Sequence, residues 1–129
     1  MKIEDAKILL VDDDTVMRMF VVNLLSRLGA HHIQEAADGQ QGLQLASNFN
    51  PDIVLSDIHM SPMDGLEFVK RLRTHAVLAL RKIPVILMSA DSSGQMPNDW
   101  VPLGISGYII KPPVLSVLNV KLEHALKFR

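Results

Sequence analysis

The chain has 129 residues, 48% hydrophobic and 21% charged, with a formal net charge of -1, so residues 1–129 read as one globular domain with no general affinity for nucleic acid. It contains no cysteine, which excludes disulfides, zinc-thiolate centres and thiol nucleophiles. No apolar run is long enough to cross a membrane, and Lys2, Glu4, Asp5 and Lys7 interrupt the stretch a signal peptide would need, so a soluble, cytoplasmic protein is expected.

The first predicted element is Ile8–Val11, a run of branched apolar residues without polar alternation, as suits a strand covered on both faces. Three aspartates follow it. Asp14 precedes a helical pattern of Val16, Met19, Phe20, Leu24 and Leu28, and is the natural N-cap. Gly29 is a plausible C-cap, and a weaker strand is expected over His32–Ala36. Leu43, Leu45, Ala46 and Phe49 mark a second helix, Ile53–Leu55 a third strand, and Leu66, Phe68, Val69 and Leu72 a third helix.

Val85–Met88 is the fourth strand, and the segment after it is the weakest helical candidate. Gly94, Pro97, Pro102 and Gly104 allow a short or irregular fourth helix of one or two turns. Trp100 lies in that segment and would either anchor the loop or meet a partner. Tyr108–Ile110 is the fifth strand, and Val117, Leu118, Val120, Leu122 and Leu126 carry the last helix. Repeated βα alternation predicts a five-stranded parallel sheet, doubly wound with helices on both faces.

In such sheets ligands bind outside the carboxyl ends of the strands, and the polar residues crowd that edge. Asp12 and Asp13 end the first strand, Asp57 follows the third, Ser89 the fourth and Lys111 the fifth. Carboxylates at about 4 Å repel by roughly 4 kcal/mol per pair at an effective dielectric of about 20, so a proton or a cation is expected among them. An all-oxygen donor set suits a hard divalent ion such as Mg²⁺. Asp57 is then a candidate nucleophile for phosphoryl transfer, with Lys111 neutralising charge and Ser89 donating a hydrogen bond.

The segments "LLVDDD", "DIVLSDIHMSPMDG", "PVILMSA" and "GYIIKPP" occur in the order and spacing of the receiver domains of bacterial two-component response regulators, and the chain resembles them over nearly its whole length. The resemblance implies a flavodoxin-like sheet of strand order 2-1-3-4-5, with Asp57 accepting a phosphoryl group from a histidine kinase or phosphotransfer protein. It implies direct Mg²⁺ ligation by Asp13, Asp57 and the backbone carbonyl of His59, with Asp12 acting through water. It further implies that Ser89 and Tyr108 form a switch altering the face of the fourth helix, fifth strand and fifth helix for a separate effector. The expected protein is a monomer or weak phosphorylation-dependent dimer that catalyses only its own phosphorylation and dephosphorylation, with no attached output domain.

Two departures from the family stand out. Ser61 occupies the place of a usual proline, with Pro62 following, and should change the loop after Asp57; the broken fourth helix lies on the signalling face. The His59 side chain is expected to face solvent over the site, and His31, His32, Met17, Met19 and Met88 read as strand-edge or core residues. A phosphorylation-independent scaffold would keep this fold without the chemistry. A phosphohydrolase of the haloacid dehalogenase type would need D-x-D-x-T, and Thr15 comes one place too early.

Overall fold

The computed structural model describes residues 1–91 and 98–129. Five strands, β1 (Lys7–Val11), β2 (His32–Ala36), β3 (Ile53–Asp57), β4 (Val85–Ser89) and β5 (Gly107–Ile110), pair in parallel in the order β2-β1-β3-β4-β5. The helices are α1 (Thr15–Arg27), α2 (Gly39–Phe49), α3 (Gly65–Arg73), a single turn α4 (Leu78–Arg81) and α5 (Leu115–Leu126).

Alternate strand residues face opposite layers, as a period of two requires. Ile8, Leu10, Ile53, Leu55, Ile86 and Met88 form one core with Val21, Leu24 and Leu25 of α1 and Leu118, Leu122 and Leu126 of α5. Leu9, Val11, Val54, Val85 and Leu87 form the other with Phe68, Val69 and Leu72 of α3, Ala46 of α2 and Leu80 of α4. β3 and β4 are buried throughout, which is why their sequences carry no alternation.

The helix ends follow local chemistry. Asp14, Asp38 and Asp64 each accept a hydrogen bond from the backbone N–H three residues on, satisfying a donor the first turn leaves free. Gly29 adopts φ 98° just past α1, where the N–H of Ala30 reaches back to the carbonyl of Leu25.

Two expectations need correcting. The predicted inward face of α1 holds only in part: Leu24 is buried and Leu28 packs against the core, but Val16 is 75% exposed and Met19 and Phe20 also face outward, while Val21 and Leu25 complete the buried face. Apolar residues encircle most of this helix, so spacing alone could not choose among its faces. On α5, Val117 and Val120 are likewise exposed while Leu118, Leu122 and Leu126 fill the core.

Between β4 and β5 the described part of the predicted fourth helix is a 3₁₀ segment, Asn98–Leu103, with Pro102 inside it. Gly94 and Pro97 lie outside the described residues. Trp100 is 2% exposed and belongs to the second core, so it anchors this segment rather than facing solvent. α4 was not foreseen.

Arg73 ties this region together. Its Nε donates to the Leu103 carbonyl at 2.6 Å and its Nη1 to the Ile83 carbonyl at 2.8 Å, with longer contacts of 3.4 Å to the carbonyls of Arg81 and Gly104. Burial pushes the guanidinium pKa down, yet arginine stays charged and its hydrogen bonds are charge-assisted. Arg73→Met should destabilise the protein by about 2–4 kcal/mol, read by urea unfolding, because two carbonyls lose their donors together. A loss within about 0.5 kcal/mol would mean that water replaces the guanidinium.

Candidate functional site

The chain passes from β1 outward to β2 and then back across β1 to β3, so the carboxyl ends of β1 and β3 flank the point where the strand order reverses. Asp12, Asp13 and Asp57 meet there, with one carboxylate oxygen from each lying within 4.8 Å of the others. Asp12 and Asp57 are buried and Asp13 is exposed, leaving the cluster open on one side.

Asp12 is held from several directions. Its N–H extends the sheet to the Ala36 carbonyl at 3.0 Å, and its Oδ1 accepts the N–H of Asp14 at 3.0 Å. Its Oδ2 lies 2.7 Å from Lys111 Nζ in a buried ion pair. Lys111 Nζ also lies 3.0 Å from Asp57 Oδ2. The ammonium therefore sits between the carboxylates of β1 and β3.

Asp57 Oδ1 accepts the N–H of Ile58 at 2.8 Å, which fixes the carboxylate plane. Burial pushes its pKa up, Lys111 pulls it down without cancelling that effect, and Asp12 adds to the rise. Burial acts to lower the Lys111 ammonium, but its contacts with Asp12 and Asp57 outweigh it and hold the pKa above 10.5. Lysine is thus charged at neutral pH, and three carboxyl groups share this one ammonium.

Ser89 ends β4 beside this group. Its Oγ accepts the N–H of Asp91 at 3.0 Å and its carbonyl accepts the N–H of Lys111 at 2.7 Å, linking the β4 and β5 ends. The Lys111–Pro112 and Ser61–Pro62 peptides are both cis. His59 is exposed, as expected. Tyr108 is half-buried and, with Ile109, Ile110, Val114 and Val117, lines a hollow of about 330 Å³ between β5 and α5.

The donor set is all oxygen, three carboxylates share a single ammonium, and the cluster opens to solvent, so these residues fit a hard cation. Residues 8–123 match the model of the response regulator receiver domain. The chain belongs to that family. This receiver is 34% identical over 120 residues to the chemotaxis protein CheY-3 of Vibrio cholerae, covering 93% of this chain and 91% of that protein. It is 33% identical over 121 residues to the chemotaxis protein CheY1 of Helicobacter pylori, covering 93% and 96%. The structure of the chemotaxis response regulator CheY4 of Vibrio cholerae superposes with a TM-score of 0.83 at 30% identity, covering 94% of this chain and 98% of that one.

Three residues that shape the receiver's site carried no role in its sequence. Ser56 sits inside buried β3 and its Oγ donates to the Asp57 carbonyl at 2.9 Å. Gly65 opens α3 against the backbone of Asp57 and Ile58. Arg18 reaches from α1 to the Asp12 carbonyl. The first two stand inside the segment that signals the family, but each is recognisable only by the atom it touches.

Proposed function

We propose that this receiver takes up a phosphoryl group on Asp57 and that phosphorylation changes the surface carried by β5 and α5 for a separate effector. The observation that carries the reading is the convergence of Asp57, Lys111 and two further carboxylates at the point where the strand order reverses. Asp12, Asp13, Asp57 and the His59 carbonyl would hold Mg²⁺, Asp12 through water. Bound there, the ion would supply positive charge to offset that of the incoming phosphoryl oxygens.

The chain's own part is nucleophile and electrostatics. A carboxylate oxygen of Asp57 attacks phosphorus, the bond from phosphorus to the donor's imidazole nitrogen breaks, and the electron pair leaves with that nitrogen. Ile58 N–H holds the carboxylate in place, and Lys111, already 3.0 Å from Asp57, stays paired with the charge as it passes to the phosphoryl oxygens. The Ser89 hydroxyl, one residue past the Met88 that pairs with Asp57 in register, would donate to one of those oxygens. Tyr108, beside its apolar hollow, has space to change position and with Ser89 would carry the change to the β5–α5 face.

The donor would be a histidine kinase or phosphotransfer protein in the cytoplasm. The domain would act only on its own phosphorylation state and would not turn over external phosphomonoesters.

The test incubates the full chain with MgCl₂ and a small-molecule phosphodonor and follows intact mass. Wild type should gain one phosphoryl group, Asp57→Ala none, and omission of Mg²⁺ should prevent the gain. An unmodified wild type, or equal modification of Asp57→Ala, would refute the reading and favour a phosphorylation-independent scaffold.

A further inference from the structure

The Arg18 side chain is mostly buried although it springs from the first turns of a solvent-facing helix. Its Nη1 donates to the Asp12 carbonyl at 2.6 Å, and its Nε lies 3.4 Å from Oε1 of Glu35 on the edge strand β2. The N–H of the same residue donates to the Asp14 carbonyl at 2.9 Å. Arg18 therefore bonds to both ends of the Asp12–Asp13–Asp14 turn, through its backbone at one end and its side chain at the other.

We infer that Arg18 is a positioning residue for the cation-holding carboxylates, a role that rests on the proposed reading of Asp12 and Asp13. The turn after β1 must present two like-charged side chains to one point, and their repulsion works to swing them apart. Asp12 is fixed by its N–H to Ala36, its carbonyl to Arg18 and its Oδ1 to Asp14 N–H. Lys111 pairs with the Asp12 carboxylate, and Arg18 supplies a side-chain bond to the Asp12 backbone. Glu35, half-exposed, pairs with the guanidinium at 3.4 Å, and the planar fork lets one side chain reach both that carboxylate and the Asp12 carbonyl.

The sign of the effect separates positioning from charge. Arg18 is a cation near a cation site, so removing its charge should by electrostatics alone tighten Mg²⁺ binding. If Arg18 instead holds the turn, its loss weakens binding, and outer-shell partners of metal ligands typically contribute about 10–100-fold in affinity.

The experiment titrates isotope-labelled protein with MgCl₂ and reads the dissociation constant from NMR peaks of the folded state only, so loss of stability alone cannot move it. Arg18→Gln should weaken binding by about tenfold or more. Arg18→Lys, which keeps the charge but loses the fork, should fall between Arg18→Gln and wild type, and it decides the matter if Arg18→Gln does not fold. An unchanged or tightened constant in the folded variant overturns the role of Arg18 while leaving the site intact. A wild type that does not bind Mg²⁺ overturns the site and this role together.

Discussion

Asp57→Asn is expected to abolish phosphoryl uptake and, in the absence of metal, to raise the melting temperature at neutral pH. The first effect is total because the neutral amide oxygen is not the anionic nucleophile that a carboxylate supplies. The second follows from burial: Asp57 is 7% exposed, and its carboxyl pKa is raised above 3.8 despite Lys111. The folded protein then binds the Asp57 proton more tightly than the unfolded chain does. By linkage, this group's contribution to stability is greatest below its unfolded value and declines as pH rises through its folded value.

Where Asp57 is ionised it is therefore a net cost to the metal-free fold, and a neutral isostere removes it. Lys111 keeps a partner in the variant, because Asp12 Oδ2 is 2.7 Å away. The gain should appear as a rise in melting temperature at pH 7, where a difference of about 1 kcal/mol reads as roughly 4 °C at this chain length. It should shrink as pH falls toward the ordinary carboxylate value. Adding Mg²⁺ should narrow the gap from the other side, since binding stabilises wild type by mass action. A variant less stable than wild type at pH 7, or a difference that ignores pH, would show that Lys111 fully compensates the buried charge.

This behaviour bears on what could be read before any coordinates. β1, β3 and β4 were legible because parallel strands buried on both faces give unbroken apolar runs, and Asp12, Asp13, Asp57, Ser89 and Lys111 were legible because each stands at the end of a strand. The Asp14 cap and the Gly29 turn are local, and local chemistry is written in adjacent residues. The inward face of α1 was legible only at Leu24 and Leu28, since Val16, Met19 and Phe20 are as apolar as the Val21 and Leu25 that packing selected. Arg18 and Arg73 were invisible for a related reason: both act on backbone carbonyls, which every residue possesses, so no motif marks their targets. Trp100 looked unpartnered because its core neighbours come from distant segments.

Gly65→Ala should destabilise the receiver by about 3–5 kcal/mol and impair phosphoryl uptake in the fraction that folds. Propensity predicts the reverse, because alanine in a helix is favoured over glycine by about 1 kcal/mol. The site decides otherwise. A Cβ at position 65 would overlap the Asp57 carbonyl oxygen and lie 3.0 Å from Ile58 Cα and 3.1 Å from the Ile58 carbonyl oxygen. All three are backbone atoms, so no side-chain rotation can relieve the contact.

Relief requires the start of α3 to move away from the end of β3. That movement stretches the 2.8 Å bond from Gly65 N–H to the Ile58 carbonyl and displaces the Asp64 cap from Glu67 N–H. It also shifts Phe68 in the core and Ile58, whose N–H orients the Asp57 carboxylate. Thermal unfolding and the rate of mass gain from a phosphodonor should therefore fall together. If Gly65→Ala melts at or above the wild-type temperature, propensity has won and the close approach of α3 to β3 imposes no constraint. Loss of stability with an unchanged uptake rate in the folded fraction would instead mean that the carboxylate keeps its orientation when the helix start is displaced.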